Sequence, residues 1–129
     1  PDMKPGAPLT AFEYLYRDAA NYKAFGVVIL RGRWTDDDLS VIRETCEAQT
    51  YFIAEQVGIA PLYAQLYAFS GGPTEDDHVF HEFIGLRDAT PEDGKPSDRT
   101  VTDFVSRFRE AGRCWDCTRS PHWNLGPWR

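Results

Sequence analysis

Apolar residues in this chain come in short runs that polar turns separate, and the runs predict four β-strands. The first two, at 12–17 and 24–30, lie on either side of a polar turn at 18–23 and favour an antiparallel hairpin. The second of them is a continuous β-branched run whose length is typical of a buried central strand. Runs at 51–57 and 78–86 predict the third and fourth strands.

Helical spacing predicts two helices, over 35–49 and 100–111. Thr35 is a good N-cap, and the three aspartates that follow it suit the positive end of the helix dipole. The second helix carries apolar residues at positions i, i+3, i+4 and i+7, a full amphipathic stripe. The stripe consists of Val101, Phe104, Val105 and Phe108. The segment 61–69 fits a helix and a strand equally well.

These elements predict one α+β domain over 1–129, with a four-stranded, mainly antiparallel sheet and both helices packed on one of its faces. Residues 1–9 contain three prolines and a glycine and predict a loose lead-in. The segment 113–129 carries three of the four tryptophans without a helical or strand period. We expect it to form an irregular Trp-rich C-terminal tail that covers an edge or the other face of the sheet.

Composition narrows the function classes. A net charge of −6, from 20 acidic and 14 basic residues, opposes non-specific binding to nucleic acid or to anionic membranes. No apolar run reaches the roughly 20 residues that cross a bilayer, and residues 1–8 lack a secretory signal. Three cysteines are too few for a disulfide framework. We therefore expect a soluble cytoplasmic protein without a nucleic-acid or membrane partner.

The sharpest cluster of candidate catalytic residues lies at 76–82. It holds two histidines and three acids, which could bind a divalent metal or place a base beside an acid, as in a small metal-dependent hydrolase. Its members are Asp76, Asp77, His78, His81 and Glu82. On a strand, His78 and His81 point to opposite faces because side chains alternate with a period of two. The favoured interpretation is therefore structural, with the histidines hydrogen-bonded at the edge of a strand.

The tail contains a candidate zinc half-site. Cys114 and Cys117 have the C-x-x-C spacing at which two thiolates bind one tetrahedral ion, and His122 would be a third ligand. A fourth ligand would have to come through the fold from His78 or His81. Zinc is the one cofactor that the sequence suggests, and two small thiols without a metal are the simpler interpretation.

Tryptophans of the tail are candidates for a binding surface, because tryptophan is enriched at binding hot spots. The three are Trp115, Trp123 and Trp128. An irregular tail must, however, pack its tryptophans onto the sheet to stay ordered, and we favour that interpretation. The chain lacks the phosphate-binding loop, dinucleotide-binding, nucleophile-elbow and zincin motifs, so no complete catalytic constellation is found.

Three segments carry a resemblance to a known family: 14–23 (YLYRDAANYK), 52–58 (FIAEQVG) and 76–83 (DDHVFHEF). With Gly26 before an apolar strand, they resemble a family of small bacterial proteins of unknown function. The likeness covers about residues 12–111. It implies a compact bacterial cytoplasmic domain and no particular reaction.

These observations favour a non-enzymatic protein-interaction or regulatory accessory module with an unknown protein partner. Exposed aromatic residues at a sheet edge would also allow a homodimer. The first alternative is the metal-dependent hydrolase built on the cluster at 76–82. The second is a zinc-stabilised domain that uses the cysteines and histidine of the tail.

Overall fold

The computed structural model describes residues 8–17, 22–62, 80–113 and 115. In these ranges the strands are β1 (Leu9–Arg17), β2 (Lys23–Arg31), β3 (Tyr51–Ile53) and β4 (Phe80–Asp88). The helices are α1 (Asp36–Thr45), α2 (Ala54–Val57) and α3 (Val101–Ala111), and a 3₁₀ turn spans Pro91–Asp93. None of the helices within these ranges is long and apolar enough to span a bilayer.

The strands form one antiparallel sheet in the order β2-β1-β4-β3. Strand β1 lies in the middle, so that Tyr14 pairs with Gly26 on one side and with Phe83 on the other. A β-bulge between Glu13 and Tyr14 shifts the register of β1 against β4. The predicted α+β class and the four-stranded antiparallel sheet are confirmed.

One face of the sheet carries α1 and α3, and the core lies between them and the strands. The ring of Phe12 stands at the centre, 4.9 Å from the ring of Phe104, 5.6 Å from that of Phe108 and 5.8 Å from that of Phe52. All four rings are fully buried. The amphipathic stripe predicted for the second helix is therefore the surface that packs on the sheet.

Both long helices begin where the sequence predicts. At α1, the backbone N–H of Asp38 donates to the hydroxyl of Thr35 at 3.1 Å, and the N–H of Thr35 donates to the Asp38 carboxylate at 2.9 Å. At α3, the N–H of Asp103 donates to the hydroxyl of Thr100 at 3.1 Å. These bonds satisfy N–H groups that have no partner inside the helix, so each start is fixed locally.

Helix α1 ends earlier than predicted, at Thr45 rather than near Gln49. Cys46 is extended, and Ala48 and Gln49 have positive φ angles of 51° and 59°, which a right-handed helix does not allow. The indole N–H of Trp115 donates to the carbonyl of Thr45 at 2.7 Å. A contact from a distant part of the chain thus satisfies a carbonyl at the helix end.

The third strand was predicted over 51–57, and its second half is wrong. The chain leaves the sheet after β3 and forms the short helix α2. Arg107 Nε donates to the carbonyl of Gln56 at 3.0 Å, and Arg99 Nη1 donates to that of Gly58 at 3.1 Å. These arginines satisfy carbonyls at the end of the helix, where Gly58 takes a φ of 74°. Tertiary contacts therefore override the apolar run.

Candidate functional site

His81, a candidate catalytic residue that the favoured interpretation placed at a strand edge, is instead fully buried on the helix-bearing side of β4. Its Nε2 accepts a hydrogen bond from the backbone N–H of Leu62 at 2.9 Å. Accepting at Nε2 places the proton of the neutral imidazole on Nδ1. The ring also lies 5.3 Å from that of Tyr16 and 6.0 Å from those of Tyr14 and Phe52. The imidazole therefore joins the segment around Leu62 to the sheet.

Tyr14 holds the same segment from the neighbouring strand. Its hydroxyl donates to the carbonyl of Ala60 at 2.7 Å, and its side chain is almost completely buried. Burial raises the pKa of Tyr14 to about 12, so the phenol keeps its proton at neutral pH. Tyr14 and His81 thus form two hydrogen bonds to the chain between Ala60 and Leu62, and both bonds serve to position the backbone.

Glu82 points to the opposite face of the sheet from His81. Its carboxylate forms an ion pair with Arg17, with 2.9 Å between Oε2 and Nε. Consecutive residues of a strand alternate between faces, so the imidazole and the carboxylate do not meet. Of the candidate cluster at 76–82, His81 and Glu82 are therefore not brought together by β4 as an acid–base pair.

The other predicted site residues lie outside the described residues. They are Asp76, Asp77 and His78 of the cluster, and Cys114, Cys117 and His122 of the zinc half-site. Within the ranges that the structure describes, no three His, Cys, Asp or Glu side chains form a group that could hold a metal ion. Both metal hypotheses stay predictions. Metal analysis of the untagged chain beside Cys117→Ser and His81→Ala tests them.

Cys46 is the thiol that the described residues contain, and it is reduced and buried. Burial raises the pKa of Cys46 to about 12, although nearby Arg43 opposes that rise. A thiol with so high a pKa carries little thiolate at neutral pH, and the thiolate is the nucleophile. Cys46 therefore acts as a small apolar residue of the core.

A shallow depression of about 350 Å³ lies along the outer side of α3. Its lining consists of Ser106, Arg109, Glu110 and Arg113. The lining places one hydroxyl among charged side chains and holds no histidine that could serve as its base. This depression supplies no nucleophile and base pair.

The outer edge of β2 is partly covered by the chain that leads into α3. The N–H of Ser97 donates to the carbonyl of Ile29, and the N–H of Arg31 donates to the carbonyl of Arg99, both at 2.9 Å. Ile29 and Arg31 therefore direct their backbone groups away from β1. In an antiparallel pair this orientation recurs at every second residue, so it extends along the odd-numbered positions of β2.

Residues 23–27 of β2, called the exposed edge here, lie beyond that covered part. By the same alternation, Lys23, Phe25 and Val27 turn their N–H and C=O groups outward. No described residue forms a backbone hydrogen bond with these outward groups. The side chain of Phe25 is 63% exposed and that of Val27 is 40% exposed. Backbone groups that no described residue pairs with thus lie beside exposed apolar side chains.

The position of β2 corrects the sequence interpretation of 24–30 as a buried central strand. The strand lies at the end of the sheet and pairs with β1 alone among the described strands. Ile29 and Leu30, at its covered end, are buried, whereas Phe25 and Val27 are not. The high apolar content of the run was visible in the sequence, but the absence of a second neighbouring strand was not.

Ion pairs lie on the face of the sheet that α1 and α3 do not cover, called the open face here. Arg87 binds Glu13 at 3.2 Å and Asp93 at 2.7 Å. Hydrogen bonds from Arg87 hold the pKa of Asp93 well below its usual range. Glu13 lies directly opposite Val27 on β1, so a carboxylate stands beside the exposed edge.

Of the tryptophans proposed as a binding surface, Trp115 is described and packs on the core. Its ring meets that of Phe108 edge-on, with 6.1 Å between the centroids. Packing onto the sheet was the interpretation favoured for the tail, and Trp115 packs against Phe108 of α3 and bonds Thr45 of α1. Trp123 and Trp128 lie outside the described residues.

Comparison of the chain with protein-family models, with curated proteins and with solved structures finds no match.

Proposed function

We propose that this domain is a non-enzymatic protein-interaction module whose binding surface is the exposed edge. A partner protein would lay an extended segment beside β2 and add it to the sheet as a further strand. The observation that carries the proposal is the row of outward N–H and C=O groups next to exposed Phe25 and Val27. Strand addition of this kind takes affinity from main-chain hydrogen bonds and specificity from alternate side chains.

The energetics of such binding follow from the exposed groups. Each backbone hydrogen bond contributes about 0.5–1.5 kcal/mol net, and covering the exposed part of Phe25 contributes about 1–2 kcal/mol. Native proteins protect a free strand edge with charges, prolines or bulges. At the exposed edge Lys23 is the one such device, and it stands at the end of the segment.

The surroundings of His81 and Glu82, the two described candidates for catalysis, support a binding role over catalysis. His81 is occupied in the core by the N–H of Leu62, and Glu82 is paired with Arg17 on the other face. A general base must reach a substrate within hydrogen-bonding distance. A fully buried imidazole that accepts a backbone hydrogen bond is poorly placed for that task.

The same proposal places the domain in the bacterial cytoplasm, as a regulatory or accessory protein. The resemblance at 14–23, 52–58 and 76–83 supports the bacterial origin. The low cysteine count is typical of proteins in a reducing compartment. The negative net charge supports a protein partner over nucleic acid.

Affinity capture with edge variants tests the proposal. Proline at position 27 removes one outward N–H without removing a hydrogen bond to β1, because the N–H of Val27 points away from β1. We expect proteins captured from a bacterial lysate by the tagged full chain to be lost with Val27→Pro. Quantitative mass spectrometry measures the loss.

Ile84→Lys is the matched control. Ile84 is 41% exposed, a fraction close to the 40% of Val27, but it lies at the bulge of β4 and away from β2. We expect this variant to capture the same proteins as the wild type. Equal capture by all three chains would contradict the proposed function, and so would a chain that neither captures a protein nor associates with itself through this edge.

A further inference from the structure

We infer that the partner at the exposed edge is a second copy of this chain, paired antiparallel through β2, so that two sheets become one. This inference rests on the proposed function and gives it a specific partner. Isologous pairing uses the same surface patch on both subunits, so the patch must be complementary to itself. Three properties of the exposed edge meet that condition: its length, its side chains and its charges.

The length of the exposed edge fixes the register. The outward residues are Lys23, Phe25 and Val27, and Phe25 stands in the middle. A two-fold axis at Phe25 pairs all three with the same three residues of the second copy, with Phe25 opposite Phe25 and Lys23 opposite Val27. A register shifted by two residues toward the C-terminal end of β2 would place the second strand against Ile29. The carbonyl of Ile29 already accepts a hydrogen bond from the N–H of Ser97. No other antiparallel register pairs all three outward residues in both copies.

Backbone geometry suits this register. Residues whose backbone N–H and C=O point away from β1 can each form two hydrogen bonds with the opposite residue of a new antiparallel strand. The three pairs would therefore form about six hydrogen bonds. The second strand fits between the covered part of β2, which starts at Ile29, and the beginning of β2 at Lys23. Every outward N–H and C=O of the exposed edge would be satisfied.

The side chains of the open face complement each other across the same axis. The two Phe25 rings would lie opposite each other, and aromatic cross-strand pairs are stabilising. Val27 has Glu13 as its neighbour on β1, and Lys23 has Arg17. In the paired sheet, the neighbouring residues in one row across the strands would be Glu13 and Val27 of one copy, followed by Lys23 and Arg17 of the other. The carboxylate of Glu13, which also binds Arg87, thus lies two strands away from Lys23 of the other copy, on the same row.

Like charges are kept apart by the same register. The two Lys23 side chains fall on opposite sides of the axis, each beside a Val27 rather than beside each other. Directly opposed like charges destabilise a sheet, and this register avoids them.

The small interface limits the affinity of the dimer. A stable dimer buries about 1,200–2,000 Å² in total, which is more than a five-residue strand pair supplies. We expect a monomer–dimer equilibrium with a dissociation constant between micromolar and millimolar.

Sedimentation of the full chain from micromolar to millimolar concentration tests the inference. We expect the mass to rise from that of one 14.7 kDa chain toward twice that value. Val27→Pro removes two N–H donors from the dimer, one in each copy, and should weaken it about tenfold or more. Val27→Lys, which keeps the backbone, should also weaken it. Ile84→Lys should dimerise like the wild type.

Disulfide trapping tests the register. Under mild oxidation, Phe25→Cys should give a covalent dimer linked through position 25 in both copies, identified as a cross-linked peptide by mass spectrometry. Ile84→Cys, with a similarly accessible thiol away from the edge, should give no link through position 84. Circular dichroism and thermal melting of each variant show that the chain is folded.

Three results would overturn the inference. The first is a monomer at every concentration, and the second is a dimer that Val27→Pro and Val27→Lys leave intact. The third is a dimer that links through position 84 and not through position 25. If the chain is monomeric while Val27→Pro still abolishes capture of another protein, the second copy is refuted and the interaction module stands. If both capture and dimerisation are insensitive to the edge variants, both proposals fail.

Discussion

Replacing His81 by phenylalanine tests whether this histidine is a structural residue of the core. The substitution keeps an aromatic ring of similar size among Tyr14, Tyr16 and Phe52. It removes the Nε2 acceptor, so that the N–H of Leu62 loses the bond it makes at 2.9 Å. The cavity contribution is small because the ring stays, and the lost hydrogen bond dominates.

The expected destabilisation follows from the burial of that bond. A buried donor left without its acceptor costs about 1–3 kcal/mol. For a chain of this length such a loss lowers the melting temperature by about 5–15 °C. Urea denaturation gives the free energy of unfolding, and the slope of the transition shows whether the unfolded state has changed.

Glu82→Gln is the comparison variant, because it alters the next residue on the opposite face. Its ion pair with Arg17 is partly exposed, with side-chain exposures of 19% for Glu82 and 39% for Arg17. Such pairs contribute about 1 kcal/mol or less. A wild-type melting temperature for His81→Phe, or a larger loss for Glu82→Gln, would refute the structural role of His81.

Three further variants test other contacts. Asp93→Asn should reduce the loss of stability at acid pH. The depressed folded pKa of Asp93 gives stability that is complete above the usual value of 3.8 and is lost as pH falls through the lower folded value. An unchanged acid unfolding profile would count against the ion pair with Arg87. Tyr14→Phe should reduce the loss of stability at alkaline pH. The raised folded pKa of Tyr14 gives stability that is complete below pH 10.0 and is lost as pH rises toward about 12. The same alkaline loss in the variant would contradict the role given to the Tyr14 hydroxyl. Phe108→Ala should lower the free energy of unfolding, measured in urea, by about 3–5 kcal/mol. The exposed Ile84→Ala should lower it by less than about 1 kcal/mol. Equal losses would contradict the placement of Phe108 in the core.

The starts of the long helices were the most predictable features. Thr35 and Thr100 cap α1 and α3 through bonds to residues three positions ahead, so the information is local. The stripe on α3 was equally local, and it packs as the pattern predicts. Tertiary contacts decided the ends instead. Trp115 bonds the carbonyl at the end of α1 from 70 residues away, and Arg107 bonds that of Gln56 from 51 residues away.

The candidate site was less predictable than the fold. The period-two alternation applied to His78 and His81 stays a prediction, because His78 lies outside the described residues, but the same alternation separates His81 from Glu82 in β4. It gave no means to find the partner of each side chain. His81 meets a backbone N–H 19 residues before it, and Glu82 meets a guanidinium 65 residues before it. Sequence patterns carry face and spacing, and they carry no distances between separate segments.

The exposed edge shows the same division most clearly. An apolar, β-branched run predicted a strand over 24–30, because branched and aromatic side chains favour the extended backbone, and the structure has β2 at Lys23–Arg31. Whether that strand lies inside the sheet or at its edge depends on which other strands pair with it. Hydrogen bonds between strands join residues far apart in the chain, so only the tertiary structure could leave Phe25 and Val27 on an uncovered edge.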